Sequence, residues 1–251
     1  MTRILLSGCS GRMGQVIAGI AKTRSNIEIV AGYDVKPDSS AGFPVYTDIG
    51  KCPVDMDAVI DFSHPAAFDT ITGFCQSNKI PLVMATTGLS AEQLTRLSEI
   101  SIDCAVFRSA NMSMGVNLVM ELAKKAAAFT EGLFDIEIVE KHHSNKLDAP
   151  SGTAISILES INEALSTPKE PIYDRTTRRE KRDAGEIGVH SIRGGSIVGE
   201  HTVVFAGNDE IIEIKHEALS RNIFAEGALK AAIFISKKKT GLYSMSHIIN
   251  D

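Results

Sequence analysis

The chain has 251 residues, of which 43% are hydrophobic and 23% charged, a composition typical of a globular protein with one or two domains. A net charge of −5 excludes a general attraction to nucleic acids or anionic membranes, so an acidic ligand must be bound by a local group of residues. The apolar stretch near the start is too short for a signal peptide, and no later segment approaches the roughly 18 apolar residues of a membrane span. We therefore expect a cytoplasmic protein.

The cysteines bear on the redox compartment and on metals. All four are spread along the chain, without a CxxC pair or a His/Cys spacing typical of a metal site. This distribution predicts reduced thiols, as in a reducing compartment, and indicates neither a metal site nor a disulfide framework.

Strand and helix patterns alternate through the first part of the chain. The strand patterns are RILLSG, IEIVAGYD, DAVIDFS, IPLVMATTG and CAVFRS, and the helix patterns between them are MGQVIAGIAKT, AAFDTITGFCQS and AEQLTRLSEI. Apolar strands separated by helix-length segments predict a parallel sheet covered on both faces, which is a Rossmann-like, doubly wound α/β domain. We assign residues 1–112 and 221–251 to this dinucleotide-binding domain, and place the helix pattern at 224–236 on its sheet.

A different pattern begins after Asn111. A helix over 116–129 precedes the strand FDIEIVEKHH, the helix TAISILESINEAL and three alternating runs, IGVHSIRGG, SIVGEHTVVFAG and DEIIEIKHEA. These runs predict a second, α+β domain over 113–220, with a mostly antiparallel sheet that binds the substrate. Residues 166–186 contain two prolines and many charges, and we predict a mobile surface loop whose charges face water, rather than a loop that closes over a ligand.

Three glycines lie between the first strand and the first helix, in SGCSGRMGQ. Gly8, Gly11 and Gly14 allow the backbone to turn tightly and approach a pyrophosphate, which the helix N-terminus stabilises. Asp34 follows Gly14 by 20 residues and ends the second strand, where a carboxylate binds the ribose of the adenosine. The alternative is a tight turn followed by a solvated acid. We favour a nicotinamide dinucleotide, because strand, glycines, helix and acid occur in the expected order.

The preference between NADH and NADPH is left open by these residues. Asp34 would repel a 2′-phosphate, whereas Lys36 and Arg12 would attract one. Two further segments, ATTG (85–88) and SANM (109–112), follow strands and are expected at the same edge of the sheet. For both segments, an ordinary polar loop is nearly as good an interpretation.

The segment HHSNKLDAPSGT gathers proton carriers and anion-binding groups at a strand end. His142 can change protonation near neutral pH, as acid catalysis requires, and Lys146 supplies a positive charge or a proton. The N–H groups of Gly152 and Thr153 lie at a helix start, where they would bind a carboxylate. The alternative is an ordinary helix cap, surface histidines and a lysine paired with a nearby aspartate. For the whole set we favour catalysis on a small carboxylated ligand.

The run EKHHSNKLDAPSGTA (140–154) closely resembles the signature of the 4-hydroxy-tetrahydrodipicolinate reductase family, formerly called dihydrodipicolinate reductase, in diaminopimelate and lysine biosynthesis. The similarity continues over nearly the whole chain, in GCSGRMG, DFSHP, ATTG, SANMSMGVN and GEHTVVFAG. The resemblance implies NADH- or NADPH-dependent reduction of 4-hydroxy-tetrahydrodipicolinate to tetrahydrodipicolinate with loss of water. It also implies a homotetramer formed through the second domain.

Residue roles follow from matching positions in the family signature. The resemblance implies that His142 donates or accepts a proton, that Lys146 donates one, and that His143 binds substrate. Gly152 and Thr153 would hold a substrate carboxylate. Cofactor contacts are implied for the glycine loop, the acid after the second strand and two later loops: Gly8, Cys9, Ser10, Gly11, Arg12, Met13, Gly14, Asp34, Ala85, Thr86, Thr87, Ser109, Ala110, Asn111 and Met112.

Two positions depart from the family pattern, and two other classes of protein compete with it. Ala85 replaces an expected glycine, which would crowd the backbone near the nicotinamide, and Val35 replaces an arginine that suits a 2′-phosphate. An amino-acid dehydrogenase and a nucleotide-sensing regulator remain alternatives. A phosphorylating semialdehyde dehydrogenase is disfavoured, because it needs a cysteine nucleophile and the predicted second domain has none.

Overall fold

The structure is a computed structural model, which describes residues 1–36, 40–109 and 111–249. It divides into two compact units, Met1–Met114 with Asn222–Asp251, and Gly115–Arg221. Within the described ranges, no helix has both the length and the apolar character that a membrane crossing needs.

The described residues form strands β1 (Thr2–Ser7), β2 (Ile27–Tyr33), β3 (Val45–Tyr46), β4 (Ala58–Asp61), β5 (Leu82–Met84), β6 (Val106–Arg108), β7 (Asp135–His142), β8 (Glu170–Ile172), β9 (Glu186–Arg193), β10 (Gly199–Ala206), β11 (Ile211–Ala218) and β12 (Leu242–Tyr243). The α-helices are α1 (Arg12–Ala21), α2 (Phe68–Asn78), α3 (Ala91–Ile100), α4 (Met114–Thr130), α5 (Gly152–Asn162), α6 (Asn222–Ile235) and α7 (Met245–Ile249). The short elements β3, β8, β12 and α7 were not predicted from the sequence, because two- to five-residue segments carry too little periodicity.

The first unit contains a parallel sheet in the order β12-β6-β5-β4-β1-β2-β3. Successive side chains of a strand point to opposite faces. In β1, Ile4 and Leu6 therefore join the core formed with α1 and α6, while Leu5 joins the core formed with α2 and α3. This layered arrangement confirms the Rossmann-like fold, and its carboxyl-end loops lie along one edge of the sheet.

The second unit contains a mixed sheet in the order β11-β10-β7-β9-β8. Its inner face packs on α4 and α5, with Ile138 and Phe205 fully buried. Antiparallel pairing was predicted for the last three runs and occurs between β10 and β11, but β9 pairs in parallel with β7 and β8. The expectation for β9 was wrong because alternation reports which face is buried, and does not report which strands are neighbours.

The charges of residues 166–186 were predicted to face water, and most of the charged residues there are exposed, but three arginines form ion pairs. Arg182 bonds to Asp135 at 2.6 Å and to Glu137 at 3.0 Å, both on β7. Arg175 and Arg178 pair with Glu186 at the start of β9. Asp135 and Glu137 lie on a strand distant in the sequence, so the local charge pattern could not reveal the partners of Arg182.

Candidate functional site

The glycine loop between β1 and α1 is closely packed against the end of β4. Gly8 has a φ of +75°, and a Cβ atom added there would lie 2.5 Å from the carbonyl oxygen of Phe62. A Cβ atom on Gly14 would lie 2.3 Å from the carbonyl oxygen of Gly8. Both positions therefore require glycine, one for its backbone conformation and the other for close packing. Gly11 is the N-cap of α1, so the loop leads directly into a helix N-terminus.

Asp34 lies beside this loop. Its carboxylate accepts the Ser10 N–H at 3.0 Å and the Lys36 N–H at 3.2 Å. The Ser10 hydroxyl donates to the Lys36 carbonyl at 3.1 Å. The predicted ribose-binding acid is thus held against the glycine loop by backbone groups on both of its oxygens.

Two cavities meet at the N-terminus of α1. One, of about 580 Å³, is lined by Gly8, Ser10 and Asp34 among others. The other, of about 500 Å³, is lined by most of the remaining predicted cofactor residues: Arg12, Met13, Ala85, Thr86, Thr87, Ser109, Asn111 and Met112. Both include Gly11, which places a helix N-terminus between them. This arrangement fits a dinucleotide, with one nucleotide in each cavity and the pyrophosphate at the helix start.

Two of the predicted cofactor residues that the structure describes, Cys9 and Gly14, line neither cavity. The side chain of Cys9 is buried in the apolar core, and Gly14 packs under the loop, so these two shape the loop. Ala110 lies outside the described residues. The remaining predicted residues are brought together at one edge of the sheet.

The residues after β4 were missed as a cofactor site, although DFSHP was noticed. Phe62 and Ser63 line both cavities, and His64 lines the larger one. Asp61, which is 1% exposed, accepts the hydroxyl hydrogen of Thr86 at 2.7 Å. The position of DFSHP at the end of a parallel strand was a usable signal, because ligands bind at that edge.

In the second unit, Glu140 and His142 lie on the buried face of β7. Nδ1 of His142 is 2.6 Å from Oε2 of Glu140, and Arg193 pairs with the same carboxylate. Burial would raise the pKa of Glu140, but hydrogen bonds from Arg193, Ser191 and His142 outweigh it and hold the pKa at about 2. Glu140 is therefore ionised over the whole physiological range.

The pKa of His142 lies below its ordinary value, because burial, together with the positive charges of Lys146 and Arg193, outweighs the stabilisation of the imidazolium ion by Glu140. His142 is thus a neutral imidazole at pH 7. The expectation that His142 changes protonation during catalysis stays a prediction.

The start of α5 adjoins these groups. The Ser151 hydroxyl caps the helix by accepting the Ala154 N–H at 3.2 Å, and lies 2.9 Å from Nε2 of His201. Gly152 and Thr153 form the first turn, as predicted for a carboxylate site. Burial, followed by the charge of His142, lowers the pKa of His201 to about 4.

Lys146 and His143 lie in the loop that leads to this helix. Nζ of Lys146 is 2.9 Å from Asp148, the pairing considered as the alternative to catalysis. Nδ1 of His143 is buried and has no hydrogen-bond partner among the residues that the structure describes. A buried, unpaired ring nitrogen fits the implied role of His143 in binding a polar substrate group.

Two family descriptions cover almost the whole chain. Residues 2–112 match the N-terminal part of dihydrodipicolinate reductase, and residues 115–249 match its C-terminal part. The chain belongs to the dihydrodipicolinate reductase family.

Full-length relatives and a solved structure agree with this membership. The 4-hydroxy-tetrahydrodipicolinate reductase of Caldanaerobacter subterraneus subsp. tengcongensis is 49% identical over 249 residues, covering 99% of this chain and 98% of the relative. The enzyme of the same name from Clostridium novyi is 46% identical over 250 residues, covering 99% and 98%. The solved structure of the dipicolinate-bound dihydrodipicolinate reductase of Paenisporosarcina sp. TG-14 is 28% identical in sequence and has a TM-score of 0.80. The match covers 97% of this chain and 97% of that structure.

The contacts around His142 also bring in residues to which the sequence signature gave no role. Glu140 stood at the edge of the quoted run without an assigned role, and Arg193, Ser151 and His201 were not proposed as functional. Arg193 and His201 lie about 50 residues from their partners, at separations of 53 and 50 residues. A one-dimensional motif cannot identify such contacts.

Proposed function

We propose that this chain catalyses the NADH- or NADPH-dependent reduction of 4-hydroxy-tetrahydrodipicolinate to tetrahydrodipicolinate with loss of water, in diaminopimelate and lysine biosynthesis. The observation that carries the proposal is full-length similarity, at 49% identity, to a protein of that name. The dipicolinate bound to the related structure supports a cyclic dicarboxylate as substrate. The cavities beside the glycine loop have the composition that a nicotinamide dinucleotide requires.

The second unit binds and orients the substrate in this proposal. The N–H groups of Gly152 and Thr153, at the positive end of α5, hold one carboxylate. His143 contacts a second polar group of the substrate through its buried ring nitrogen. A bound reduced nicotinamide supplies a hydride to ring carbon 4 once water has been lost, and the protein contributes orientation and charge.

Lys146 is the proton donor and His142 the proton acceptor in this scheme. Glu140 is ionised and can only accept, so the Nδ1 of His142 carries the hydrogen in that contact. Nε2 of the neutral ring then has a lone pair, which can take a proton from the ring carbon next to carbon 4 and pass it to the departing hydroxyl group, so that water is lost. The ammonium of Lys146 protonates the ring carbon next to carbon 4 after the hydride arrives.

Oxidation of NADH and NADPH with freshly prepared substrate tests the reaction and the cofactor together. Lys146→Ala and His142→Ala should each lower turnover by roughly 10²- to 10⁴-fold, the usual effect of losing an acid or base. Lys125→Ala, which removes an exposed lysine of α4, is the matched control and should have near-normal turnover. Normal turnover in both site variants would refute the acid and base assignments.

The same assay separates the alternative classes of protein. Oxidation of aspartate with NAD, without reduction of the hydroxylated ring, would indicate an amino-acid dehydrogenase. Binding of NADH without turnover of a cyclic imine would indicate a nucleotide-sensing regulator. Such a regulator has no need for Lys146 and His142 beside a helix N-terminus.

We also propose a cytoplasmic homotetramer, in which the second unit forms the subunit contacts. The four cysteines are buried and form no disulfide among the described residues, as suits a reducing compartment. Ile211 and Ile212 are exposed on the edge strand β11, where a second copy could cover them. Light scattering on the eluted protein tests the oligomeric state.

A further inference from the structure

Glu140 carries a fully buried carboxylate whose two oxygens are both engaged. Oε1 accepts the Ser151 N–H at 3.1 Å, and Oε2 contacts Nδ1 of His142. The Arg193 guanidinium donates to both oxygens, at 2.7 and 2.8 Å. Replacing a buried ion pair with apolar residues is often neutral or stabilising, so this pair calls for a reason beyond stability.

We propose that Glu140 is a positioning residue of the reductase, which sets the tautomer and orientation of His142 and holds the carboxylate-binding start of α5 beside it, while Arg193 locks the carboxylate. The inference rests on the proposed function, because it concerns the same site. Glu140 acts through His142 and Ser151, and does not itself contact substrate.

The first part of the inference concerns the imidazole ring. An ionised carboxylate only accepts hydrogen bonds, so Nδ1 of His142 must carry the hydrogen and Nε2 must present the lone pair. The ring is also held from the side of β10. A Cβ atom on Gly199 would lie 3.1 Å from Nε2, and the His201 ring lies edge-on with its centroid 5.2 Å away. The Glu140 carboxylate and these two neighbours therefore restrict the orientation of the ring.

The second part concerns the coupling between the base and the anion site. The carboxylate that holds His142 also accepts the Ser151 N–H, immediately before the first turn of α5. Arg193 extends the link by donating to the carbonyl of Asp148 at 2.6 Å, in the loop between Lys146 and the helix. The proton acceptor, the proton donor and the carboxylate site thus share one anchor, and displacing it should affect turnover and substrate binding together.

Four charged or titratable groups face His142 from the surrounding elements. Glu140 comes from β7, Lys146 from the following loop, Arg193 from β9 and His201 from β10. Glu140 raises the pKa of His142, whereas Lys146 and Arg193 lower it. Removing the Glu140 charge should therefore move the pKa of His142 downward, and with it the limb of the pH–rate profile that His142 controls.

Glu140→Gln tests the proposal, with Glu186→Gln as the matched control. Glu186 is another carboxylate of the same sheet that is nearly buried and paired with arginines, but it does not contact His142. Glu140→Gln should lower kcat by about 10²-fold, raise the KM of the substrate, leave the KM of NADH unchanged and shift the His142 limb to lower pH. Glu186→Gln should retain the wild-type pH profile.

Nitrogen-15 NMR of histidine-labelled wild-type protein tests the tautomer directly and needs no substrate. The His142 signals are identified by their absence in His142→Asn. The proposal predicts hydrogen on Nδ1 in the wild type and a gain of the Nε2–H tautomer in Glu140→Gln.

The two kinds of experiment separate failure of the inference from failure of the function. A wild-type His142 with hydrogen on Nε2 would overturn the inference even if the enzyme is active. Equal losses in kcat and unfolding temperature for Glu140→Gln and Glu186→Gln, with an unmoved pH profile, would also overturn it, since that is the behaviour of a purely structural carboxylate. Absence of reductase activity in the wild type would refute the proposed function, while the NMR result would still decide the role of Glu140.

Discussion

Two buried side chains of the second unit have opposite charge states. His201 is 4% exposed, and desolvation keeps it neutral. Glu140 is more deeply buried and yet ionised, because Arg193, Ser191 and His142 all bond to it. The difference lies in the partners, since a charge is tolerated inside a protein only where donors replace the lost water.

The neutral state of His201 predicts acid sensitivity. Its pKa is about 4 in the folded protein against an ordinary value of 6.5, so the unfolded chain binds more protons between these values. The neutral His201 therefore costs the folded protein no stability above pH 6.5. As the pH falls towards 4 the free energy of unfolding decreases, and at pH 4.5 the decrease is roughly 2 kcal/mol. Urea unfolding should show that the free energy of unfolding falls less between pH 7.5 and pH 4.5 in His201→Gln than in the wild type. Equal losses would contradict the assignment.

The contacts of Asp61 predict that its substitution weakens the binding of the cofactor and leaves the binding of dipicolinate unchanged. Its carboxylate accepts hydrogen bonds from the hydroxyl group of Thr86 and from the N–H of Ser63. Thr86 is 6% exposed, and both residues line the smaller cavity. Asp61→Ala leaves the Thr86 hydroxyl without this acceptor, at a cost of about 1–3 kcal/mol, and should raise the Kd for NADH about 10-fold. Binding of dipicolinate should be unchanged. Asp69→Ala, an exposed acid of α2, is the control, and a similar change in both variants would refute the role of Asp61.

Helix α6 supports the cofactor loop from the carboxyl end of the chain. A Cβ atom on Gly227 would lie 1.7 Å from the carbonyl oxygen of Met112, which lines the smaller cavity. The helix can approach this loop so closely only because Gly227 has no side chain. A helix far from the glycine loop in the sequence therefore shapes the cofactor site.

Gly227→Ala should displace either α6 or the Met112 loop. We expect a lower unfolding temperature and weaker NADH binding, since clashes with backbone atoms cannot be relieved by a rotamer change. Gly73→Ala is the matched control, because a Cβ atom there in α2 meets nothing within 4 Å. That substitution should stabilise the protein by up to about 1 kcal/mol. Calorimetry and fluorescence titration measure both effects, and equal unfolding temperatures for the two variants would contradict the packing argument.

The accuracy of the element predictions depended on whether the signal was local. The pattern AEQLTRLSEI matched α3, whose capping box joins Ser90 and Gln93 within one turn. The neighbours of β9 could not be predicted in this way, because β7 inserts between β9 and β10 from an earlier part of the chain. For the same reason the partners of Arg182 on β7 were missed.

The two units predict separate responses to the two ligands. The predicted cofactor residues all fall in the first unit, while Glu140, His142 and the start of α5 fall in the second. A ligand stabilises the regions whose opening abolishes its site, by about 2.7 kcal/mol at 100 times its Kd. NADH alone should slow amide hydrogen exchange at 8–14 and 85–88, and dipicolinate alone should slow it at 142–154. Protection by NADH confined to the second unit would contradict the assignment of the cofactor site.

The sequence by itself determined the features that depend on neighbours along the chain. These are the glycine turn into α1, the alternation that places Glu140 and His142 on one face of β7, and the capped start of α5 at Ser151. Only the tertiary structure decided which groups meet across the sheets, such as Glu140 with Arg193 and Asp61 with Thr86. The physical reason is that local patterns encode periodicity and turn chemistry, whereas strand order and register set the contacts and the burial from which the protonation states of His142 and His201 follow.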